Sequence, residues 1–219
     1  MLDLSKYKVH DLTHPLSEQM AGFSATTART VDKDGWNAQT LTIYSHAGTH
    51  LDAPYHFAVS NKTIDDYAPT VFMGKAWMVR IQIEEQQQLL TVDDLGRTGG
   101  KVKPGDSLLL QTGWSKTLLQ SYYRDGLPRI SRELAQWCVD KKIKILGVEP
   151  QSVADVNNLA EVTEIHQILL GGNVIIVEGL TNLDQIQSEA VFLIALPLKI
   201  KGGDGAPARV IALETIELK

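Results

Sequence analysis

Seven short apolar runs separated by polar turns most constrain how this chain can fold. They are rich in valine, isoleucine and leucine and alternate only weakly with polar residues, which is typical of strands covered on both faces. The predicted strands span residues 41–44, 76–83, 107–112, 143–148, 174–177, 191–196 and 210–213. The chain is therefore predicted to be built around a buried sheet.

Helices are fewer than strands in this sequence. Ser131 has an N-cap residue type, and the apolar spacing after it predicts a helix that ends near Asp140. A second helix is predicted over residues 161–170, where Gly171 and Gly172 end it. Some strand connections are too short for right-handed crossovers. We therefore expect an α/β domain on a mixed, barrel-like sheet.

The composition limits the classes of protein that fit. The 219 residues show no linker or internal repeat, which predicts a single domain over residues 1–219. The net charge is −5, with no basic cluster longer than two residues, so a nucleic-acid partner is not expected.

The sequence also bears on the cellular location. No apolar stretch is long enough to cross a bilayer, and the first residues do not resemble a signal peptide. One cysteine, Cys138, suits the reducing cytoplasm, where we expect the protein.

The densest chemistry lies in one eleven-residue segment that holds three histidines and an aspartate. These residues are His46, His50, Asp52 and His56. A helix is disfavoured here because Gly48 interrupts the spacing and Pro54 follows soon after. In an extended backbone residues 46, 48, 50 and 52 share one face, with Gly48 leaving room for a metal ion between two histidines.

The residue types of this segment suit a metal site with catalytic chemistry. Two imidazoles and a carboxylate bind zinc, manganese or iron and leave positions open for water. The alternative is that these are polar loop residues or core histidines. That alternative fits a single histidine better than it fits four such residues at this spacing.

A second pair of candidate ligands lies further along the chain. His166 lies in the second predicted helix, and Glu178 follows the strand at 174–177. Their spacing of twelve allows a helix, a turn and a returning strand, which would bring both to one sheet edge. The alternative is a helix-surface histidine and a strand-end charge.

At this point the sequence resembles the metal-dependent cyclase family, which includes bacterial kynurenine formamidase and isatin hydrolase. The most specific match is His46-Ala-Gly-Thr-His50-Leu-Asp52-Ala-Pro54-Tyr-His56-Phe57. Further matching blocks are Asp11-Leu-Thr-His-Pro-Leu16, Gly147-Val-Glu-Pro-Gln-Ser152, Ile165-His166-Gln-Ile-Leu-Leu170, Glu178-Gly-Leu-Thr-Asn182, Ala195-Leu-Pro-Leu-Lys199 and Asp204-Gly-Ala-Pro-Ala-Arg209. The resemblance covers nearly the whole chain.

The resemblance implies a swivelling β/β/α fold in a homodimer or higher homo-oligomer. It implies that the first metal ion binds to His46, His50 and Asp52. Asp52 would bridge to a second ion held by His166 and Glu178, and His56 would be the catalytic acid/base. The implied cofactor is a divalent metal, Zn²⁺ or Mn²⁺, with one or two ions per subunit.

Two departures from the family pattern affect the substrate pocket. Glu149 replaces an aspartate often found in this block, which would alter local hydrogen bonding. Residues 19–24 lack the proline-rich, tryptophan-containing loop associated with kynurenine formamidase. Phe23 in that stretch is either an aromatic wall of the pocket or an ordinary packing residue.

The expected reaction is metal-assisted hydrolysis of a small molecule. A divalent ion lowers the pKa of water towards about 7, and the resulting hydroxide attacks an amide, formamide, lactam or ester carbonyl while His56 carries a proton. An arylformamidase-like activity is expected, with isatin hydrolase or lactone hydrolase activity as alternatives. A metal-dependent binding protein without turnover is an alternative of another class.

The remaining singled-out residues have no expected role in the reaction. Cys138 is interpreted as a core residue, and His10 and His14 as structural or surface groups.

Overall fold

A mixed β-sheet that closes on itself organises the structure, a computed structural model that describes residues 3–216. The strands of the whole structure are β1 (Tyr7–Asp11), β2 (Phe23–Arg29), β3 (Ala38–Ile43), β4 (His50–Asp52), β5 (Met73–Arg80), β6 (Leu89–Leu90), β7 (Ser107–Gln111), β8 (Arg129–Ile130), β9 (Ile145–Val148), β10 (Ile175–Glu178), β11 (Ala190–Pro197) and β12 (Gly205–Thr215). The α-helices are α1 (Val31–Asp34), α2 (Gly96–Gly99), α3 (Arg132–Asp140) and α4 (Leu159–Gly171). Short 3-10 helices span Leu4–Lys6, Ile64–Asp66, Pro69–Phe72, Asp93–Leu95, Trp114–Thr117 and Leu183–Gln185.

The sheet runs in the order β1-β12-β11-β5-β7-β9-β10-β4, and β4 also pairs with β12. Seven strands therefore form a closed ring, with β1 added outside β12. The pairs β5–β7, β7–β9 and β9–β10 are parallel, whereas β4 pairs antiparallel with both of its neighbours. The mixed, barrel-like sheet expected from the sequence is confirmed.

The parallel strands of the ring are covered on both faces, as the apolar runs predicted. Leu109 of β7 points into the barrel core, whereas its neighbours Leu108 and Leu110 belong to the layer under the helices. In that outer layer Cys138 of α3 and Ile165 of α4 pack against the sheet. Burial raises the pKa of the Cys138 thiol to about 12, so this residue is a core group.

Six of the seven predicted strands match strands of the barrel to within a few residues, and both long helices are confirmed. The side chain of Ser131 accepts a hydrogen bond from Leu134 N, as expected of an N-cap. The run at 41–44 overlaps β3 and is a strand, but the expectation that it is covered on both faces is wrong. β3 pairs only with β2 in an exposed hairpin, and Leu41 is 51% exposed. Apolar residues alone do not reveal whether another layer covers a strand.

A buried hydrogen bond between side chains ties β1 to β12. His10 Nε2 lies 2.6 Å from Glu214 Oε2, and Glu214 Oε1 accepts a hydrogen bond from Gln187 N at 2.7 Å. Burial opposes ionisation of Glu214, but hydrogen bonds from Ser188 N, His10 and Gln187 N outweigh it and lower its pKa to about 2. The structural interpretation of His10 is thus confirmed.

We expect Glu214→Gln to lower the free energy of unfolding by about 1–3 kcal/mol at neutral pH. Because the pKa of Glu214 is lower in the folded chain, its contribution is full above the unfolded pKa near 4.5 and is lost as the pH falls towards 2. Urea unfolding at pH 6 and pH 3 measures this. The difference in the free energy of unfolding between wild type and variant should be smaller at pH 3 than at pH 6. An equal difference at both pH values would contradict the lowered pKa of Glu214.

Among residues 3–216 no helix is long and apolar enough to cross a membrane.

Candidate metal centre

The predicted ligands meet where three strands and a helix come together. In the pairing register His50 of β4 lies opposite Glu178 of β10, and Asp52 lies opposite Gly205 of β12. His166 reaches the same place from α4, and its Nε2 lies 3.4 Å from Glu178 Oε1. The spacing argument for His166 and Glu178 is confirmed, since a helix, a turn and a returning strand do bring them together.

The backbone around Gly48 differs from the extended segment predicted from the sequence. Only residues 50–52 form a strand, and residues 45–49 form turns and bends. Gly48 has φ +63°, and a Cβ there would lie 2.8 Å from Met20 Sδ and 3.0 Å from a methyl of Leu16. Gly48 is therefore required by the turn and by these side chains, and the idea that it leaves room for a metal ion is wrong.

Two buried histidines have their ring orientation fixed by the backbone. His50 Nδ1 lies 2.8 Å from Gly48 O, and His166 Nδ1 lies 2.6 Å from Val162 O. A carbonyl oxygen only accepts, so each Nδ1 carries the proton and each Nε2 presents a lone pair when the ring is neutral. Backbone contacts of this kind orient metal-binding histidines.

The Nε2 atoms of these histidines converge on two buried carboxylates. His50 Nε2 lies 3.2 Å from Glu178 Oε2 and 3.6 Å from Asp52 Oδ1. His166 Nε2 lies 3.6 Å from Asp52 Oδ2. Glu178 is held in place because its Oε1 also accepts a hydrogen bond from Val153 N at 2.8 Å.

His46 lies between two aspartates. Its Nδ1 is 2.8 Å from Asp52 Oδ1, and its Nε2 is 2.9 Å from Asp204 Oδ2. Burial lowers the pKa of His46, but the two carboxylates outweigh that effect and raise it to about 9. Sequence reasoning missed Asp204, which is 158 residues from His46. The only available signal was its place in a block that resembles the family.

Imidazoles and carboxylates balance each other's charge within the cluster. Burial disfavours the charged forms of His50 and His166, yet the neighbouring carboxylates raise the pKa of both rings. The same contacts lower the pKa of Asp52 and Glu178 against the opposing effect of burial. A cation that binds between these groups must therefore displace the protons of the histidines.

The donor set fits a divalent metal ion. Potential ligand atoms of His50, Asp52 and Glu178 all lie within 4.8 Å of one another, as do those of His46, Asp52 and His56. Among the described residues His50 Nε2 and Asp52 Oδ2 are buried without a hydrogen-bond partner. Such atoms are costly to bury unless something binds them. Imidazole nitrogens and carboxylate oxygens are the ligands that zinc and manganese accept.

His56 lies beside the cluster on the turn that follows β4. Its ring stacks on that of His46 with centroids 3.8 Å apart, and its Nδ1 is 3.4 Å from Asp204 Oδ2. Burial lowers the pKa of His56, which favours the neutral ring at neutral pH. The next residue, Phe57, stacks on His166 with centroids 4.2 Å apart. His56 is thus the partly exposed histidine of the group.

A cavity of about 530 Å³ opens over the cluster. His46, His50, His56, His166 and Glu178 line it, and so do other polar residues such as Arg124 and Gln151. The apolar and aromatic lining residues include Met20, Tyr44, Phe57, Leu118, Tyr123 and Val156. A lining that combines polar groups with apolar and aromatic side chains suits a small-molecule site.

For Phe23 and for His14 the structure excludes one of the two positions considered from the sequence. Phe23 begins the β2–β3 hairpin and is not part of the cavity lining, so it is not an aromatic wall. His14 is buried and lines the cavity, and its backbone N donates a hydrogen bond to Thr49 Oγ1 at 2.9 Å. A surface position for His14 is therefore wrong.

Glu149 accepts hydrogen bonds from a turn that precedes part of the cavity lining. Its buried carboxylate accepts hydrogen bonds from Thr112 N and Thr112 Oγ1 at 2.8 Å, from Trp114 N at 3.0 Å and from Ser115 Oγ at 3.1 Å. These bonds fix the turn that leads into residues 118–124, several of which line the cavity. Glu149 thus organises the local hydrogen bonding of its block without being part of the cavity lining.

Gly205 allows β12 to pass close to His46. A Cβ at this position would lie 2.7 Å from His46 Cε1 and 2.6 Å from Leu51 O. We expect Gly205→Ala to lower the free energy of unfolding by about 1–3 kcal/mol through overpacking and to weaken metal binding because His46 must move. Thermal unfolding and metal titration measure both effects. Gly100→Ala is the matched control, since its Cβ would meet nothing closer than 3.7 Å; equal behaviour of the two variants would contradict the prediction.

The chain is similar in sequence and in fold to several known proteins. The family model described as "Putative cyclase" matches residues 10–155. A kynurenine formamidase of Bacillus cereus is 28% identical over 208 residues, covering 92% of this chain and 95% of the relative. Isatin hydrolase A from Ralstonia solanacearum has a TM-score of 0.84 at 26% identity, with 96% of this chain and 93% of that chain covered. A solved structure described as a potential metal-dependent hydrolase with cyclase activity has a TM-score of 0.78 at 25% identity, with coverage of 96% and 99%.

The closed mixed sheet defines an α/β barrel, and the similarity to a kynurenine formamidase and an isatin hydrolase places the protein in the hydrolase class. The chain belongs to the cyclase family, because the family model spans most of its length. The fold and the family expected from the sequence are confirmed.

Proposed function

We propose that this protein is a metal-dependent amidohydrolase that cleaves the C–N bond of a small aryl formamide, as an arylformamidase does. The observation that carries the proposal is the convergence of His50, Asp52, His166 and Glu178 beside a cavity that three of them line. The 28% identity to a kynurenine formamidase over nearly the whole chain supports the same reaction class.

We assign the metal ligands as His46, His50, Asp52, His166 and Glu178, with Asp52 shared between two ions if two are bound. Asp52 suits the shared position because His46, His50 and His166 all face its two oxygens. A bound divalent cation supplies Lewis-acid polarisation of a carbonyl oxygen and a lowered pKa for water. Zinc and manganese both suit this donor set.

His56 has the proton-transfer role. Its neutral ring faces the cavity and has Nδ1 near Asp204, so Nε2 is the atom that takes a proton from attacking water and returns it to the leaving nitrogen. Both transfers are steps of one reaction, and the proton that leaves the water ends on the amine. Phe57 and Tyr123 exclude water around the substrate and hold an aromatic ring.

A hydrolysis screen tests this function. The protein is stripped with a chelator, reloaded with Zn²⁺ or Mn²⁺, and assayed on N-formylkynurenine, isatin and simple lactones. We expect formamide hydrolysis only in the metal-loaded protein. Stoichiometric binding without product across the panel would instead indicate a metal-dependent binding protein.

A cyclic amide is the second candidate substrate, favoured by the 26% identity and the TM-score of 0.84 to an isatin hydrolase. The attack on a lactam carbonyl uses the same residues, but the leaving nitrogen stays attached to the product. Faster hydrolysis of isatin than of N-formylkynurenine in the same screen would select this candidate.

Three further properties are part of the proposal. We expect residues 1–219 to act as one domain in a homodimer or higher homo-oligomer, which light scattering measures. The single cysteine supports a cytoplasmic location. The partner is a small-molecule substrate.

A further inference from the structure

Asp204 lies on the turn that leads into β12, and the backbone fixes its position. Its carbonyl oxygen accepts a hydrogen bond from Ala53 N at 2.8 Å, which extends the pairing of β12 with β4 by one step. The preceding residues are anchored as well, because Gly202 N donates to Asp65 Oδ1 at 2.9 Å. The backbone bonds do not involve the Asp204 carboxylate, which is therefore available for another role.

One oxygen of that carboxylate faces two histidines of the site. Asp204 Oδ2 is 2.9 Å from His46 Nε2 and 3.4 Å from His56 Nδ1. The two rings are stacked at 3.8 Å with an angle of 25° between their planes, so a single acceptor reaches an edge nitrogen of each. The side chain of Asp204 is 35% exposed, whereas that of its partner His46 is only 8% exposed.

We infer that Asp204 is the positioning residue that sets the tautomer and orientation of both His46 and His56. This inference rests on the proposed function. With the Nε2 proton of His46 donated to Asp204, Nδ1, which lies 2.8 Å from Asp52 Oδ1, would be the atom available to hold a metal ion. Accepting the Nδ1 proton of His56 leaves Nε2 to move protons in the cavity. A carboxylate behind a metal-binding histidine and a carboxylate behind a catalytic histidine are both known arrangements, and here one residue serves both.

The contact with His56 is longer than a normal hydrogen bond. Catalytic hydrogen bonds are often long in unliganded enzymes and shorten when substrate binds. The contact with His46 already has hydrogen-bond length. Asp204 therefore affects metal binding, through His46, already in the protein without substrate. Its effect on proton transfer, through His56, is greatest during turnover.

Asp204→Asn and Asp204→Ala test the inference. We expect both to weaken zinc binding by about 10–100-fold, the usual effect of losing a group that supports a ligand. We also expect kcat at saturating zinc to fall by a similar factor with little change in KM, because the substrate contacts remain. Asp204→Glu keeps the carboxylate, so its zinc affinity and its kcat should lie between those of the wild type and those of Asp204→Ala. The ring ¹⁵N shifts of His46 and His56 in the zinc-loaded protein report the tautomers directly, and they should change in the Asn and Ala variants.

Asp65→Asn is the matched control. It removes one negative charge near the same turn, but its amide oxygen still accepts the hydrogen bond from Gly202 N. Unchanged zinc affinity and ring shifts in Asp204→Asn and Asp204→Ala, or equal losses in Asp65→Asn, would overturn the inference. Zinc titration and NMR do not need a substrate. A protein that hydrolyses nothing in the panel would therefore refute the proposed function while these two measurements still decide the role of Asp204.

Discussion

Replacing His56 with alanine is expected to lower kcat by about 10²–10⁴-fold while the protein keeps its metal, the usual cost of losing a general acid/base. The structural reason is that His56 lies on the cavity side of the cluster, whereas the other histidines of the site are almost fully buried among carboxylates. Metal analysis of the purified variant beside steady-state kinetics measures both properties.

Tyr55→Ala is the matched control for this variant. Tyr55 lies on the same turn, is 50% exposed and is not part of the cavity lining. We expect it to keep both metal and turnover. If His56→Ala turned over substrate as fast as the wild type, His56 would have no role in proton transfer.

Replacing His50 with alanine is expected to remove the metal and with it the activity. His50 Nε2 is a buried atom that faces both Asp52 and Glu178. The variant removes one of the two imidazoles that lie between these carboxylates and leaves only that of His166. The loss in affinity should exceed the 10–100-fold typical of supporting residues, because a direct ligand is removed. Metal titration monitored by calorimetry gives the affinity.

His10→Ala shows whether that loss is specific. His10 is also a buried histidine paired with a carboxylate, Glu214, but it lies on β1 outside the cluster. We expect His10→Ala to be less stable than the wild type and to bind metal with unchanged affinity. Unchanged metal affinity in His50→Ala would exclude His50 as a ligand.

Most of the barrel was predictable from the sequence because its strands are covered on both faces. A strand such as β9 must be apolar at every position, and such runs are visible without any knowledge of the partners. β4 was not found because it has only three residues, two of which are the polar residues His50 and Asp52. β2 was missed because its side chains are largely exposed and carry no apolar run.

In the site, too, features that lie within one segment were predictable, whereas features that depend on distant residues were not. The candidate ligands at 46–56 were visible because four such residues lie within one short segment, and His166 and Glu178 were visible because a helix, a turn and a strand join them. The backbone conformation at Gly48 was not visible, since it depends on side chains of Leu16 and Met20 from another part of the chain.

The sequence by itself determined the residue types of the candidate metal centre, the class of fold and the resemblance to a family, because each of these is carried by local patterns or by short motifs. Only the tertiary structure decided which atoms face one another. The pairing of β4 with both β10 and β12 places Glu178 beside His50 and brings Asp204 to His46 and His56 from a distant part of the chain. Contacts of that kind depend on strand register and barrel closure, which no spacing within one segment encodes.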